Sequence, residues 1–319
     1  NILHLKAGLS QSLKEIGKDV QWWEGARAKV LAERSKRVRP HLDDKILTAW
    51  NSLMISSLAL GYQVLGNVEY LAAAEKASSF LAKNLFKDGR LLASYRKGPS
   101  DIQGYIDDYA FFQACQLDLY ESTFNTAYLK KAIELEKDMV RFFGDEKAGG
   151  FYFTGNDQKD QHRLLTRTKE GYDGVIPSGN SVAALSYYRL AEFTGKKEYR
   201  SRADAILKCY AGALAKAGPN FPEMLRAFQF DFDGPAEIFV VGSRKESEKM
   251  LRLFWKAYLP NRVLAFAEDS QVKELASLLP WVENRASQGG QATAYVCRDY
   301  QCQLPTTDPQ KAVESLSKP

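Results

Sequence analysis

The sequence predicts a mainly α-helical fold, an α/α toroid with a small α/β segment near the C-terminus. The first observation behind this prediction is a pair of helices, one apolar and one amphipathic, that occurs three times along the chain. The second is the last third of the chain, where strand-like apolar runs alternate with helical patterns. With 319 residues, 45% of them hydrophobic and 26% charged, the chain can bury a large core.

Three turns mark the helical repeat. Each turn leads into a half-exposed helix whose tyrosine and alanine lie four residues apart on one face, at Tyr70, Tyr128 and Tyr199. An apolar helix precedes each turn, at about residues 44–65, 107–123 and 179–194. The repeat of roughly sixty to seventy residues is longer than the ~34 to 47 residues of common solenoid repeats. We therefore expect inner and outer rings of helices, with an open helical solenoid as the structural alternative.

The elements between the helices are short. Glycine-rich pieces at about residues 88–95, 149–154 and 218–225 favour turns and short strands after each helix pair. The first apolar helix, 44–65, leaves no wide polar face, and such a helix is expected to be packed on every side.

The C-terminal part has a different pattern. Strands are expected at about 236–242, 262–266 and before Val296, separated by helices near 245–258 and 271–279, so a small parallel or mixed sheet is predicted. The predicted organisation is a toroid over residues 1–235, an α/β segment over 236–305 and a tail over 306–319.

Composition restricts the classes of function. A net charge of +5 with interspersed acidic residues gives no reason to expect a nucleic-acid partner, and no apolar run is long enough for a membrane span. No signal-like run opens the chain, so a cytoplasmic location is expected, although the first residue is Asn1 and the N-terminus is expected to be incomplete. The sequence offers no histidine and cysteine cluster for a metal, and no cofactor is expected.

Four cysteines are too few for a disulfide scaffold. Cys115 and Cys209 lie in apolar helical patterns and are expected in the core. Cys297 and Cys302 flank four residues after a strand, a spacing that fits neither a redox motif nor a zinc knuckle. A reducible disulfide and two unpaired thiols are both open, and the sequence favours unpaired thiols.

Polar residues concentrate where the apolar helices begin. In a toroid of hairpins these starts point to one end, which predicts a pocket there. The starts carry the runs His41 to Lys45, Gly104 to Ala110 and Gly171 to Ser181. Helix capping explains one such residue per helix, but doubled aspartates with flanking tyrosines suggest a ligand site.

This pocket, at the mouth of the toroid where the apolar helices begin, suits a sugar-like ligand, because carboxylates, amides and hydroxyls bind sugar hydroxyls and aromatic rings stack on a pyranose. Two carboxylates across a glycosidic bond are also the minimum for its hydrolysis. The predicted catalytic residues are Asp44, Asp108, Asp173 and His41. The predicted substrate-binding residues are Asp43, Lys45, Trp50, Asn51, Tyr105, Asp107, Tyr109, Arg167, Ser178, Asn180 and Glu223.

The motifs together resemble one family. The runs Pro40 to Lys45, Leu47 to Asn51, Gly104 to Ala110 and Asp173 to Ser181 are similar to those of the YyaL family, which includes spermatogenesis-associated thioredoxin-like proteins. The resemblance implies a six-hairpin glycosidase-like toroid related to N-acylglucosamine 2-epimerases. It also implies a thioredoxin-like domain before the toroid, which this chain lacks, so that domain is an expected partner.

Two functions are therefore predicted as alternatives. The first is a carbohydrate-active enzyme, a sugar hydrolase or isomerase with its pocket at the mouth. The second is a non-catalytic ligand-binding or scaffold domain that partners a thioredoxin-like domain. An epimerase with two histidines is not favoured, because only His41 of the three histidines lies in a pocket-type motif.

Overall fold

The computed structural model describes residues 4–157, 165–298 and 301–316. The chain divides into two compact units, Asn1–Asp44 and Lys45–Pro319. The first unit contains α1 (Leu9–Glu15) and α2 (Val20–Ser35). The Asp19 side chain caps α2 by accepting the Trp22 N–H at 2.7 Å, and no residue of α2 is buried.

The second unit is built on helical hairpins. It begins with the short strand β1 (Ile46–Leu47). Three hairpins follow, each made of an inner and an outer helix, and then one further inner helix: α3 (Thr48–Leu65) with α4 (Val68–Asn84), α5 (Ile106–Thr123) with α6 (Thr126–Phe143), α7 (Gly179–Thr194) with α8 (Lys197–Ala217), and α9 (Pro222–Phe232). The inner helices pack in sequence, α3 on α5, α5 on α7 and α7 on α9.

Burial distinguishes the inner from the outer helices. Almost every residue of α5 and α7 is buried, including Tyr109, Phe112 and Tyr187. The outer helix α6 instead buries one face, with Leu129 and Leu135 inward. This arrangement confirms the predicted α/α toroid class and the expected positions of its apolar helices.

The hairpin turns share one backbone conformation. The residue after the inner helix of each of the three hairpins is left-handed, at Gly66 (φ 75°), Phe124 (φ 61°) and Gly195 (φ 68°). Glycine adopts this conformation freely, whereas a side chain makes it costly. Phe124 is held there by an aromatic cluster, since its ring stacks on Trp255 at 5.9 Å and contacts Phe266 at 5.5 Å between ring centroids.

The short extended pieces are confirmed in part. β2 (Phe86–Lys87) pairs with β3 (Arg90–Leu91), and β4 (Ser94–Tyr95) pairs with β1. The third expected piece, 218–225, was predicted wrongly. It forms a 3₁₀ turn over Gly218–Asn220 and the start of α9, because Pro222 suits the first turn of a helix.

The C-terminal part forms a four-stranded mixed sheet in the order β6-β5-β7-β8. The first five elements follow the predicted order: β5 (Ala236–Val241), α10 (Arg244–Lys256), β6 (Arg262–Ala267), α11 (Val272–Ala276) and β7 (Thr293–Arg298). Two further elements, β8 (Gln301–Cys302) and α12 (Pro309–Glu314), were not predicted, and α12 lies in the segment expected to be a tail. β5 runs parallel to β6 and antiparallel to β7, and α10 packs on α3. The domain boundaries predicted at residues 235 and 305 stay a prediction.

Two sequence-based expectations are corrected. α3 is not packed on every side: Trp50 is 61% exposed and Met54 is 59% exposed, so one side of this apolar helix faces outward. Cys297 and Cys302 are not unpaired thiols but form a disulfide, because antiparallel pairing of β7 with β8 sets them directly opposite each other.

Among the described residues, no helix is both long and apolar enough to cross a bilayer. The same part of the chain holds no group of three or more histidine, cysteine or acidic side chains placed to bind a metal ion.

Candidate functional site

The predicted mouth residues on α5 are helix caps. Asp108, only 4% exposed, accepts the Tyr105 N–H with Oδ2 at 2.9 Å and so caps its own helix. Its Oδ1 accepts the Ala49 N–H at 2.9 Å, in the first turn of α3. Asp107 reaches the next hairpin, where its Oδ1 accepts the Gly179 N–H at 2.8 Å. The doubled aspartate of the sequence thus joins the starts of three inner helices.

Asp173 does the same for α7 and α9. Its Oδ1 accepts the Ser178 N–H at 2.9 Å, and its Oδ2 accepts the Glu223 N–H at 2.9 Å and the Met224 N–H at 3.3 Å. We call Asp107, Asp108 and Asp173 the cap network. Free amides and the positive end of each helix dipole favour carboxylates at these positions.

Burial changes the acidity of this network. It raises the pKa of Asp108 to about 7, against the opposing effect of the Tyr105 and Ala49 amides. It likewise raises the pKa of Asp107 to about 6, against the Gly179 amide. These carboxyl groups therefore exchange protons near neutral pH, while their geometry is that of acceptors for backbone N–H groups.

Other predicted binding residues near the helix starts also make internal contacts. The Asn180 side chain bridges two loops, accepting the Phe151 N–H at 2.8 Å and donating to the Phe151 and Glu170 carbonyls. Ser178 caps α7 by accepting the Ser181 N–H at 3.1 Å. These two side chains hold the start of α7 in place.

The predicted aromatic and basic residues have similar positions. Tyr105 stacks on Phe153 at 4.8 Å, and the Tyr109 hydroxyl accepts the Leu91 N–H at 2.8 Å. Arg167 donates to the Phe142 carbonyl at 3.1 Å. The Asn51 amide donates to the Leu47 carbonyl at 2.8 Å, one turn back along the chain.

Three of the predicted residues lie in the first unit. His41, Asp43 and Asp44 are exposed there, and Lys45 is exposed at the start of the second unit. The cap network and Trp50 belong to the second unit. The structure does not test which of these residues acts on a substrate, and their catalytic and binding roles stay predictions.

A cavity lies further along the inner helices, between α3, α5, α7 and α9. Its volume is about 350 Å³. Apolar side chains such as Leu53, Leu185 and Phe230 form part of its wall, and Ser56, Ser57 and Ser186 also line it. Six charged side chains complete the lining: Asp118, Glu121, Arg189, Glu223, Arg226 and Arg262. We call this the central pocket.

The charges of the central pocket are paired with one another. Arg189 lies 2.8 Å from Asp118 through Nη1 and 3.0 Å from Glu121 through Nη2. The other Glu121 oxygen, Oε1, accepts from Arg262 Nη1 at 3.2 Å and from the Leu264 N–H at 2.7 Å. Glu121 thereby ties α5, α7 and β6 together.

The pairing affects proton affinities. Although burial by itself would lower the pKa of Arg189, the neighbouring Asp118 and Glu121 carboxylates raise it. Burial raises the pKa of Glu223, and although Arg226 opposes this at 3.1 Å, Asp173 and Asp118 add to the rise. Glu223 therefore keeps its proton to higher pH than a free glutamic acid does.

A larger cavity, of about 540 Å³, lies between α6 and α8. Four of its charged lining residues, Glu146, Lys147, Arg202 and Lys208, are exposed, and the fifth, Asp145, is half-buried. Its wall also includes two consecutive glycines of the loop after α6. We place the candidate site in the central pocket instead, because buried charges of both signs converge there.

Sequence reasoning identified Glu223 but missed the other five charged residues of the pocket. A signal was present, since Asp118 and Glu121 lie three residues apart with apolar neighbours in one predicted helix, and Arg189 has apolar neighbours in another. Charged residues are rarely buried unless they are paired. Paired charges on two neighbouring inner helices therefore mark the pocket.

The fold and the site define the chain as an α/α toroid protein with a charged pocket between its inner helices. No protein-family model matches it. The chain is 31% identical over 325 residues to human spermatogenesis-associated protein 20, and 29% identical over 328 residues to the mouse protein. Each match covers 97% of this chain and 41% of the relative. Homologues of the chain are thus spermatogenesis-associated proteins, which confirms the resemblance to the YyaL-like family.

Solved structures with similar folds are more distant. An α-mannanase of glycoside hydrolase family 76 from Bacteroides thetaiotaomicron has 16% identity and a TM-score of 0.48, over 68% of this chain and 59% of that one. Cellobiose 2-epimerase from Bacillus thermoamylovorans has 18% identity and a TM-score of 0.45, over 54% of this chain and 46% of that one.

Proposed function

We propose that this chain is a carbohydrate-active domain that binds a sugar-like molecule in the central pocket. The observation that carries the proposal is the lining, in which hydroxyls and charged groups of both signs stand beside apolar side chains. Sugar hydroxyls both donate and accept, so they can bond carboxylates and guanidinium groups at once, while C–H faces pack on apolar walls. The volume of about 350 Å³ is at the lower end for small-molecule sites.

We further propose that Glu223 is the proton donor of this site. Its raised pKa keeps the proton to higher pH than in a free glutamic acid, as a general acid requires. Asp118, paired with Arg189 at 2.8 Å, provides a carboxylate that can stabilise positive charge on a sugar. Two carboxyl groups with different environments support a hydrolase or isomerase type of reaction.

The predicted catalytic group of Asp44, Asp108, Asp173 and His41 stays an alternative for the same reaction. In our proposal Asp108 and Asp173 position the helices that line the pocket, and they do not touch the substrate. A cytoplasmic location and a partnership with a thioredoxin-like domain also stay predictions for the whole protein, of which this chain spans 41% in its human relative.

A non-catalytic ligand-binding or scaffold role is the second candidate function. The specific observation in its favour is that the cap network accepts only backbone N–H groups in the contacts described above. Arg189 is likewise held between two carboxylates. A domain of this kind would bind its ligand and release it unchanged.

Thermal unfolding with a panel of monosaccharides, disaccharides, sugar phosphates and uronic acids tests the proposal. A ligand at 100 times its dissociation constant should add about 2.7 kcal/mol to the free energy of unfolding. Glu223→Gln should keep sugar binding within about threefold and abolish turnover of the sugar that binds, because the amide keeps the shape but cannot donate the acid proton.

Glu134→Gln is the matched control, since Glu134 lies on the outer helix α6 and its side chain is 64% exposed. It should change neither binding nor turnover. Binding with no turnover in the wild-type chain would favour the second candidate function. Stabilisation by no sugar, or stabilisation that is lost in Asp108→Asn but not in Glu223→Ala, would contradict the central pocket as the ligand site.

A further inference from the structure

The disulfide lies at an edge of the mixed sheet, away from the central pocket. Cys297 on β7 and Cys302 on β8 are directly opposite each other in the antiparallel pairing. Cys297 is only 1% exposed, whereas Cys302 is exposed. An incoming thiol can therefore reach only one of the two sulfurs from solvent.

A guanidinium group contacts both sulfurs. Arg285 Nη2 lies 3.2 Å from the Cys297 Sγ and 3.4 Å from the Cys302 Sγ. The same guanidinium lies 5.4 Å from the Trp281 ring and 5.2 Å from the Tyr295 ring, which fix its position. Its Nη1 is buried and has no hydrogen-bond partner within the described part of the chain.

An acidic group on the neighbouring strand is incompletely ionised near neutral pH. Glu237 on β5 is the register partner of Cys297. Burial raises the pKa of Glu237 to about 7, with a further rise from Glu192 and an opposing effect from Arg285. A protonated Glu237 leaves the positive charge of Arg285 available to the sulfurs.

We infer that Cys297, Cys302 and Arg285 form a thiol–disulfide exchange site whose substrate is a dithiol. A disulfide that only braces a hairpin needs neither an exposed sulfur nor a cation on both sulfurs. A cation next to a cysteine favours the thiolate, which is the form released when a disulfide is opened. This activity is independent of sugar binding, because none of its residues lines the central pocket.

The exchange proceeds in two steps with balanced electrons. A thiolate of the dithiol attacks the exposed Cys302 Sγ, the S–S bond breaks, and Cys297 leaves as a thiolate beside Arg285. The second thiol of the dithiol, once deprotonated, attacks the first sulfur of the same dithiol, which is bonded to Cys302 in the mixed disulfide, and releases Cys302 as a thiolate. The dithiol becomes a disulfide, Cys297 and Cys302 gain two electrons, and its two protons pass to the new thiolates or to solvent.

Equilibration of the folded chain in buffers of reduced and oxidised dithiothreitol tests the inference, with alkylation and mass spectrometry to count thiols. We expect Cys297 and Cys302 to become reactive while Cys115 stays protected, since Cys115 is fully buried. Cys115 thus serves as an internal measure of unfolding. Reduction that appears only together with Cys115 reactivity would overturn the inference and make the disulfide purely structural.

Variants at Arg285 isolate the role of the cation. Arg285→Gln should require a roughly tenfold higher ratio of dithiol to disulfide for half-reduction, the change that one pKa unit produces. Arg285→Lys keeps the charge and should stay within about threefold of the wild type. Arg27→Gln, at a residue with a 65% exposed side chain in α2, is the control. Equal midpoints for Arg285→Gln and Arg27→Gln, with Arg285→Gln folded by circular dichroism, would overturn the role of Arg285.

Discussion

The cap network and the central pocket both bury carboxylates, but they satisfy them with different donors. Asp173 is held by three backbone N–H groups of two helices. Glu121 is held by two guanidinium groups and one backbone N–H. A backbone donor cannot leave without unwinding a helix, whereas an arginine side chain can rotate to a ligand. The comparison indicates that the network fixes the helices and that the pocket has groups able to respond to a ligand.

The largest expected effect on the free energy of unfolding is at Glu121, the pocket carboxylate that joins α5, α7 and β6. Glu121→Ala should reduce the free energy of unfolding by about 3–5 kcal/mol, because it removes the carboxylate partner of the buried Arg262 and leaves Arg189 with Asp118 alone. Urea denaturation measures the loss. A loss below about 1 kcal/mol would show that the pocket arginines find other partners, and the contrast between the two regions would then fail.

The next effect is at the cap network. Asp173→Ala should reduce the free energy of unfolding, measured by urea denaturation, by about 3 kcal/mol, because three backbone N–H groups at the starts of α7 and α9 lose their acceptor. Asp101→Ala is the control, since the Asp101 side chain is 96% exposed. Equal stabilities of the two variants would mean that water replaces the carboxylate and that the caps contribute little.

The smallest expected effect is a pH dependence of stability that comes from Asp108 of the cap network. Because burial raises the pKa of Asp108 to about 7, the folded chain binds more protons than the unfolded chain between about pH 4 and pH 7. The contribution of Asp108 to the free energy of unfolding is fully present below the pKa that Asp108 has in the unfolded chain, and it is lost as the pH rises through about 7. The wild type should therefore lose about 2–3 kcal/mol of unfolding free energy between pH 5 and pH 8 that Asp108→Asn does not lose. Parallel stability curves for the two proteins would contradict this cause.

The helices of the toroid were predictable because their signals are local. The expected range 179–194 agrees with α7, and the expected start of α5 differs by one residue. The order of strands and helices after residue 235 was equally readable from alternating apolar runs. By contrast, the exposed side of α3 was not predictable, because an apolar helix has the same sequence whether or not a neighbour covers it.

The site was harder to predict because it depends on contacts distant in sequence. Asp108 accepts from Ala49, 59 positions away, so its role as a shared cap is invisible in either segment alone. Glu121 and Arg262 are separated by 141 positions. The disulfide was misjudged for a different reason, because it depends on strand register: the five-residue separation was uninformative until the pairing of β7 with β8 set the two cysteines opposite each other.

Phe124 gives the repeat an asymmetry with evolutionary consequences. Gly66 and Gly195 reverse the chain at equivalent positions of the first and third hairpins and have no side chain to pack. Phe124 occupies the same turn position but also anchors the sheet through Trp255 and Phe266. Duplication or exchange of hairpins is thus restricted at the second hairpin, α5 with α6. A glycine at this position would make the turn easier but would remove one of the contacts that attach the C-terminal sheet to the inner helices.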